Sequence, residues 1–256
     1  MWATNHRTVL RIDRVHLNMP RILCLHGGGT NARIFRAQCR VLEAMLKPYF
    51  RLCYAEAPFL SQAGPEVQAV YDNFGPFRAW LRWDPDNAVG ETDGVSDEII
   101  AAIDLAVKQD DSSGASGEWV GILGFSQGAK VGASILKAQQ LQMRNSRRQM
   151  QNPAWQTFQF GVLLAGRSPL VEFSTTTIDT SSNRADLARL AIPTIHVHGM
   201  TDTNLHLHRK LLDEHCEKGS TSVVEWNGGH RVPVTTPVVS MVVDKMLSVF
   251  QHTDAI

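Results

Sequence analysis

Ser126 is the residue around which the chemistry of this chain is arranged. It is the third residue of Gly124–Gly128, a Gly-Phe-Ser-Gln-Gly pentapeptide that follows the apolar run 119–123 and precedes the helical pattern of 129–136. A strand, Gly-x-Ser-x-Gly and a helix in this order form the sharp turn that exposes a serine nucleophile. Glycine at both ends removes the Cβ atoms that would clash in so tight a turn. The pattern predicts a serine that attacks carbonyl carbon; the alternative interpretation is an ordinary glycine-rich turn.

Asp202 and His230 lie further along the chain, where they are placed to activate this serine. A serine hydroxyl attacks well only when a base takes its proton, and an acidic side chain must hold that base in the right tautomer. Asp202 follows a predicted strand over 192–199, and His230 follows the last predicted strand, 222–226. The carboxyl ends of parallel strands meet at one edge of a sheet, so we expect both side chains to meet Ser126 there. The chain order serine, aspartate, histidine is the one found in α/β-hydrolases.

Other acids and histidines fit an active site less well. The competing aspartates fall in loops or on helices rather than after a strand: Asp179, Asp186, Asp213 and Asp244. Two His-x-His pairs, at 196–198 and 206–208, have a spacing that can bind zinc. Because no third ligand set is visible in the sequence, we expect no metal site. His196 is interpreted as a core histidine, and three others are interpreted as helix-surface residues: His206, His208 and His215.

A second glycine-rich loop, 26–31, follows the first predicted strand, 21–25. His-Gly-Gly-Gly after a strand is typical of the loop that forms half of an oxyanion hole. We expect the oxyanion to bind the backbone N–H groups of Gln127 and of either Gly28 or Gly29, between which the sequence does not choose. His26 is expected to orient this loop. A phosphate-binding loop is disfavoured, because no Gly-Lys-Ser/Thr or complete Gly-x-Gly-x-x-Gly motif accompanies it.

Residues 56–93 differ in character from the rest of the chain. They contain four prolines and six large aromatic side chains with little periodicity. A long irregular segment in a compact domain is usually functional, and its aromatic content argues against disorder. We interpret it as a cap or pocket wall beside the serine; the alternative is that its aromatic rings only pack the segment onto the core. The expected pocket residues are Phe59, Phe74, Trp80, Trp83 and Arg167, of which Arg167 follows a later strand.

Strands and helices alternate along the chain, which predicts an α/β domain with a mostly parallel central sheet flanked by helices. The predicted strands are 21–25, 50–55, 119–123, 158–164, 192–199 and 222–226. The predicted helices are 32–47, 95–108, 127–142, a short one near 185–190, 205–218 and 236–250. We expect residues 1–19 to be a loosely structured leader and 20–252 to form a single domain.

The composition of the chain excludes several classes of function. Of 256 residues, 43% are hydrophobic, and 25 Lys and Arg balance 25 Asp and Glu. No basic field is therefore available to attract nucleic acid or an anionic membrane. No run is long enough to cross a membrane, and the first residues lack the apolar core of a signal peptide. The four cysteines show no Cys-x-x-Cys spacing, so we expect reduced, buried thiols in a cytoplasmic protein. The serine chemistry predicted above needs no cofactor.

The motifs together resemble the fungal serine hydrolase family, the FSH group. The resemblance is carried by residues 25–31, 124–129, 198–202 and 228–233, and it extends over about 20–250. Within the family, the chain is most similar to the branch that includes the lovastatin-pathway thioesterase and the citrinin-pathway serine hydrolase. The resemblance implies a single α/β-hydrolase domain with Ser126 as nucleophile, together with the aspartate and histidine already identified.

The resemblance also implies an activity and a partner. It implies a cytoplasmic thioesterase of a filamentous fungus, which acts in secondary-metabolite biosynthesis and frees a polyketide from the carrier domain of its synthase. The expected chemistry is a two-step acyl transfer through an acyl-serine. Three alternatives remain open at this point: a carboxylesterase acting on oxygen esters of small molecules, an enzyme similar to acyl-protein thioesterases, and a noncatalytic binding scaffold.

Overall fold

The computed structural model describes residues 16–82, 95–144, 158–173 and 189–253. Its strands are Arg21–Leu25 (β1), Arg51–Ala55 (β2), Phe59–Ser61 (β3), Phe77–Ala79 (β4), Trp119–Phe125 (β5), Phe160–Leu164 (β6), Thr194–Gly199 (β7) and Thr221–Trp226 (β8). Six of them form one parallel sheet in the order β2-β1-β5-β6-β7-β8. The short strands β3 and β4 pair separately and antiparallel. The predicted α/β fold with a parallel central sheet is confirmed.

Helices cover both faces of this sheet. They are Ala32–Gln38 (α1), Arg40–Leu46 (α2), Pro65–Tyr71 (α3), Val95–Ser112 (α4), Gln127–Arg144 (α5), Leu205–Lys210 (α6) and Thr236–Thr253 (α7). A 3₁₀ turn, Asp72–Phe74, follows α3, and a π-helical turn, Leu211–His215, follows α6. The predicted short helix near 185–190 lies mostly outside the described residues.

Two helix predictions were wrong in their extent. The predicted helix 32–47 breaks at the buried Cys39, whose ψ of 5° ends the helical backbone between α1 and α2. Apolar residues keep helical spacing across the break, so periodicity alone does not reveal it. The predicted helix 205–218 changes to the π-helical turn after Lys210 and ends before Cys216, which is extended.

The core lies on both faces of the sheet because the parallel strands are buried on both sides. In β1, Ile22 and Cys24 face the layer formed by α1, α2 and α7, whereas Leu23 and Leu25 face α4 and α5. All five residues of β1 and all seven of β5 are buried. The two strands therefore form a rigid centre, and the loops that leave their carboxyl ends start from fixed positions.

The aromatic segment forms a small unit over this edge of the sheet. We call its described part, 56–82, the cap segment; it contains β3, α3, the 3₁₀ turn and β4. Backbone hydrogen bonds join it to the 26–31 loop, since Gly29 N donates to Arg78 O at 2.9 Å and Arg78 N donates to Thr30 O at 2.6 Å. Residues 83–93 of the predicted segment lie outside the described residues.

Two further expectations concern the thiols and the membrane. All four cysteines are free and buried, and burial raises the pKa of Cys53 to about 12. Neutral thiols of this kind are poor nucleophiles. Across the described residues, every helix is too short or too polar to span a lipid bilayer.

Candidate active site

The backbone at Ser126 has the strained form that a nucleophile elbow requires. Ser126 has a φ of 53°, in the left-handed region that L-residues rarely adopt. A Cβ atom on Gly124 would lie 2.5 Å from Ala129 Cα, and one on Gly128 would lie 2.1 Å from Leu25 O. Glycine is therefore needed at both positions, as the sequence predicts. Ser126 N donates to Leu164 O at 2.8 Å, which fixes the elbow against the end of β6.

The three residues predicted to act together are hydrogen-bonded in series. The Ser126 hydroxyl donates to His230 Nε2 at 2.9 Å, and His230 Nδ1 donates to Asp202 Oδ2 at 2.6 Å. The carboxylate of Asp202 is fully buried, whereas the His230 side chain is 23% exposed. This geometry allows the imidazole to take the serine proton while the carboxylate holds the tautomer.

The loops that carry Asp202 and His230 are themselves bonded to each other. Met200 N donates to Trp226 O at 2.9 Å, and Thr201 N donates to Gly228 O at 3.0 Å. These bonds continue the β7–β8 pairing beyond the ends of the strands. The separation of the acid from the base is thus set by backbone pairing rather than by side-chain packing alone.

Asp202 keeps its charge despite its burial. Burial alone raises the pKa of a carboxyl group, but hydrogen bonds from Asn204 N at 2.9 Å and from His230 outweigh it. The net result is a pKa below the usual range of an aspartate. A negative charge is therefore available to stabilise an imidazolium at His230.

The 26–31 loop lies beside the elbow and is braced from inside. The fully buried His26 donates from Nδ1 to Gly27 O at 2.7 Å and accepts at Nε2 from Ala57 N at 3.1 Å. Gly29 N is already bonded to a carbonyl of the cap segment, whereas Gly28 N has no acceptor among the described residues. Of Gly28 and Gly29, Gly28 is therefore the one whose N–H has no acceptor among the described residues.

A comparison with known families shows the family to which this chain belongs. Residues 16–242 match the family described as "Serine hydrolase (FSH1)". The chain belongs to this serine hydrolase family. It is 45% identical to esterase claE of Penicillium crustosum over 265 residues, which cover 96% of this chain and 98% of that protein. It is also 45% identical to esterase citA of Monascus ruber over 262 residues, covering 97% and 99%.

The fold of this serine hydrolase also matches solved esterase structures. The acyl-protein thioesterase 2 of Zea mays superimposes with a TM-score of 0.55 at 18% identity, over 91% of this chain and 94% of that chain. Identity this low establishes a shared fold and nothing about substrate.

His208 is a part of the hydrolase site that the sequence interpretation missed. Predicted as a helix-surface residue, it is fully buried, and its Nε2 lies 3.5 Å from Asp202 Oδ2. Burial lowers the pKa of His208 to about 4, against the opposing effect of Asp202, so this imidazole is neutral near pH 7. The signal in the sequence is its position six residues after Asp202, which lets a helix beginning at Leu205 turn one face toward the carboxylate.

The burial predicted for the other histidines was correct for two of them and wrong for one. His196 is a core residue as predicted, and burial lowers its pKa to about 3. His206 is exposed as predicted, but His215 is half-buried and contacts Ser168 Oγ at 3.0 Å. The rings of His196, His198, His208 and His230 form a row with neighbouring centroids 5.9, 5.7 and 6.2 Å apart.

Within the described residues, one group of side chains has the spacing of a metal site. The ligand atoms of Asp202, His208 and His230 lie within 4.8 Å of one another. Hydrogen bonds explain part of this proximity, since Asp202 is bonded to His230 and His230 is bonded to Ser126. His208 lies beside the carboxylate without a hydrogen bond to it, since neither of its ring nitrogens has a partner among the described residues.

The predicted pocket residues occupy different positions. Phe59 and Phe74 are partly exposed, and each lies 4.6 Å from an arginine guanidinium, of Arg82 and Arg33 respectively. Trp80 is fully buried in the core, where its indole N–H donates to His26 O at 2.9 Å. Trp83 lies outside the described residues. Arg167 lies against His230, with Nη2 3.1 Å from Nε2.

Gln127 connects the elbow to the cap segment through its side chain. Its Oε1 accepts from Trp80 N at 2.7 Å, and its Nε2 donates to Leu81 O at 3.3 Å. Its backbone N–H lies at the first position of α5, where no intrahelical acceptor exists. One residue thus offers a free backbone donor beside Ser126 and fixes the cap with its amide.

Proposed function

We propose that this serine hydrolase cleaves an acyl thioester and releases a polyketide-type acyl chain from the carrier domain of its synthase, in the cytoplasm of a fungus. The observation that carries the catalytic part is the unbroken hydrogen-bond series from Ser126 through His230 to Asp202. The thioester and the carrier domain rest on the resemblance to the branch of the family that contains polyketide-releasing hydrolases.

In the first step, Ser126 Oγ attacks the acyl carbonyl and its proton passes to His230 Nε2. The resulting imidazolium is stabilised by the charge of Asp202, 2.6 Å from Nδ1. The backbone N–H groups of Gln127 and Gly28 bind the oxyanion. Loss of one such donor typically costs about 2.7–4 kcal/mol of transition-state stabilisation. The thiol leaves with the proton held by His230.

In the second step, water replaces the thiol. His230 accepts a proton from the water as it attacks the acyl-serine carbonyl, and the same backbone donors bind the second oxyanion. Ser126 recovers its proton and the acyl chain leaves as a carboxylic acid. The reaction needs no cofactor. The partly exposed rings of Phe59 and Phe74 offer an apolar wall for the chain.

A carboxylesterase that acts on oxygen esters is the second candidate. Its specific support is that the relatives claE and citA, each 45% identical to this chain, are both named esterases. The same nucleophile, base and oxyanion donors serve both reactions, because the ester and the thioester pass through similar tetrahedral intermediates. Only the leaving group distinguishes the two candidates.

The experiment that tests the proposal uses matched substrates and a nucleophile variant. N-acetylcysteamine thioesters and ethyl esters of the same acyl chains are offered to the wild-type enzyme and to Ser126→Ala. We expect the thioester to be preferred in kcat/KM and Ser126→Ala to lose turnover by about 10³-fold or more. Preference for the oxygen ester would favour the second candidate. Retained turnover by Ser126→Ala would refute both, and labelling of Ser126 by a fluorophosphonate checks that the serine is reactive.

A further inference from the structure

The guanidinium of Arg167 lies on the face of the imidazole of His230. Its Nη2 is 3.1 Å from Nε2 and 3.4 Å from Nδ1. A donor on the lone-pair axis of one ring nitrogen would be much further from the other, so these similar distances place Nη2 above the ring. Ser126 takes the in-plane position at Nε2, at 2.9 Å. The arginine therefore contacts the base from one face through Nη2, and its Nη1 and Nε groups have no bond to a described residue.

Arg167 lacks the counterion that a half-buried cation normally has. Among the described residues, no carboxylate lies within 4.0 Å of its guanidinium. Its Nε is buried and has no hydrogen-bond partner in the described part of the chain. Burial lowers the pKa of Arg167, opposed by the charge of Asp202, whose own oxygens are occupied by His230 and Asn204. A half-buried cation without a countercharge is costly, so the arrangement fits a site to which a ligand brings a negative charge.

Lys130 adds a second cation to the same region. It lies in the first turn of α5, where its backbone N–H donates to Ser126 O at 3.1 Å. Its side chain is half-buried and has no ion pair among the described residues. Burial lowers the pKa of Lys130, and repulsion from Arg167 lowers it further. The two cations are thus close enough to repel each other, and Asp202 is the negative charge that acts on Arg167.

We propose that Arg167, assisted by Lys130, binds a carboxylate carried on the acyl chain of the substrate, so that this hydrolase selects acidic acyl groups. The inference rests on the proposed function, since it assigns a substrate class to the same site. A guanidinium presents parallel N–H groups that match the two oxygens of a carboxylate, which is the arrangement that distinguishes arginine from lysine.

The charge of Arg167 also affects the rate at which Ser126 attacks. A positive charge on the face of His230 disfavours the imidazolium that forms when Ser126 gives up its proton. A bound carboxylate cancels that charge, so an acidic substrate lowers the barrier as well as binding more tightly. A neutral substrate gains neither benefit. Replacing Arg167 with an uncharged residue therefore weakens turnover of an acidic substrate and does not weaken turnover of a neutral one.

The test compares two thioesters of N-acetylcysteamine, one with a glutaryl group and one with the neutral, nearly isosteric glutaramoyl group. We expect the wild type to prefer the glutaryl thioester by about tenfold or more in kcat/KM. Arg167→Met should remove that preference by slowing the glutaryl thioester alone. Lys130→Met should reduce the preference in part. Arg209→Met, which removes an exposed arginine paired with Glu225, should leave both rates unchanged.

Several outcomes overturn the inference. The inference fails if the wild type has equal kcat/KM for the two thioesters. It also fails if Arg167→Met loses activity equally on both, because an equal loss would mean that the arginine only positions His230. Fluorophosphonate labelling of Ser126 at no less than the wild-type rate shows that the variant is folded. If the wild type labels but hydrolyses neither thioester, the thioesterase proposal fails by itself. The comparison is then made with the 4-nitrophenyl esters of the same two acyl groups, with the same criteria.

Discussion

At the scale of single residues, Asp202 is the central side chain of the site, because its buried carboxylate lies beside two imidazoles and is hydrogen-bonded to one of them. Its Oδ2 accepts from His230 at 2.6 Å and lies 3.5 Å from the Nε2 of His208. The shorter contact belongs to the imidazole that also contacts Ser126. The longer one belongs to an imidazole kept neutral by burial, so His208 does not compete for the charge.

Asp202→Asn should disable the enzyme without unfolding it. The amide retains the shape of the carboxylate, but it cannot stabilise the imidazolium, and it can hold the wrong tautomer of His230. We expect kcat to fall by about 10³–10⁴-fold, as in other serine hydrolase triads. The measurement is the steady-state rate on the preferred ester or thioester.

Asp213→Asn is the matched control for this change. Asp213 is exposed on the π-helical turn, and its contact with Arg189 uses the backbone carbonyl rather than the carboxylate. Its replacement should leave kcat within about twofold of the wild type, as expected for a surface substitution away from the site. Equal losses in the two variants would mean that Asp202 is not the acid of the site.

At the scale of secondary-structure elements, the side chain of Gln127 holds the cap segment over the start of α5. Gln127→Leu would keep the backbone N–H but remove the acceptor of Trp80 N, which lies 2.7 Å away. Leaving that donor unpaired should lower the free energy of unfolding by about 1–3 kcal/mol. Urea unfolding measures the loss, and limited proteolysis shows whether the cap segment opens first.

Gln68→Leu provides the control on the same scale. Gln68 is exposed on α3 of the cap segment. Its replacement adds the same apolar side chain without removing a buried hydrogen bond, so stability should change by at most about 0.5 kcal/mol. A Gln127→Leu protein as stable as this control would show that the glutamine does not hold the cap.

The elements also show which features a sequence can predict. The strands and the elbow were predictable because apolar runs end abruptly in glycine-rich loops, as β5 does at Ser126. The break at Cys39 and the burial of His208 were not, because each depends on packing between elements distant in the chain. The choice between Gly28 and Gly29 depends on one hydrogen bond to Arg78 O in the cap segment, which no local pattern encodes.

At the scale of the whole molecule, the amino and carboxyl ends of the strands differ in whether their charged side chains form ion pairs. At the amino ends of the strands, Asp110 accepts from Arg51 at 2.6 Å and from Arg21 at 3.3 Å, so these buried charges are paired. At the carboxyl ends, Arg167 and Lys130 have no ion pair among the described residues. Among the described residues, these two half-buried cations near Ser126 lack an ion pair, which is the arrangement expected if a substrate supplies the missing anion.

The buried histidines should make the whole fold sensitive to acid. Burial lowers the pKa of His196 to about 3 and of His208 to about 4, and it lowers the pKa of His198 as well. Below their unfolded value of 6.5, these groups take up protons in the unfolded chain but not in the folded one. Stability is therefore fully present above that value and is lost as the pH falls toward about 4.

Urea unfolding at pH 7 and pH 5 measures this dependence. Each such histidine contributes up to about 1.4 kcal/mol per pH unit, since only the unfolded state gains the proton. His196→Gln should reduce the slope by up to that amount, because it removes one buried titrating group. Val197→Ala, next in β7 and also buried, should lower stability at both pH values and keep the wild-type slope, since it changes packing alone. A free energy of unfolding that stays constant between pH 7 and pH 5 would contradict the assignment of neutral buried imidazoles beside the active site.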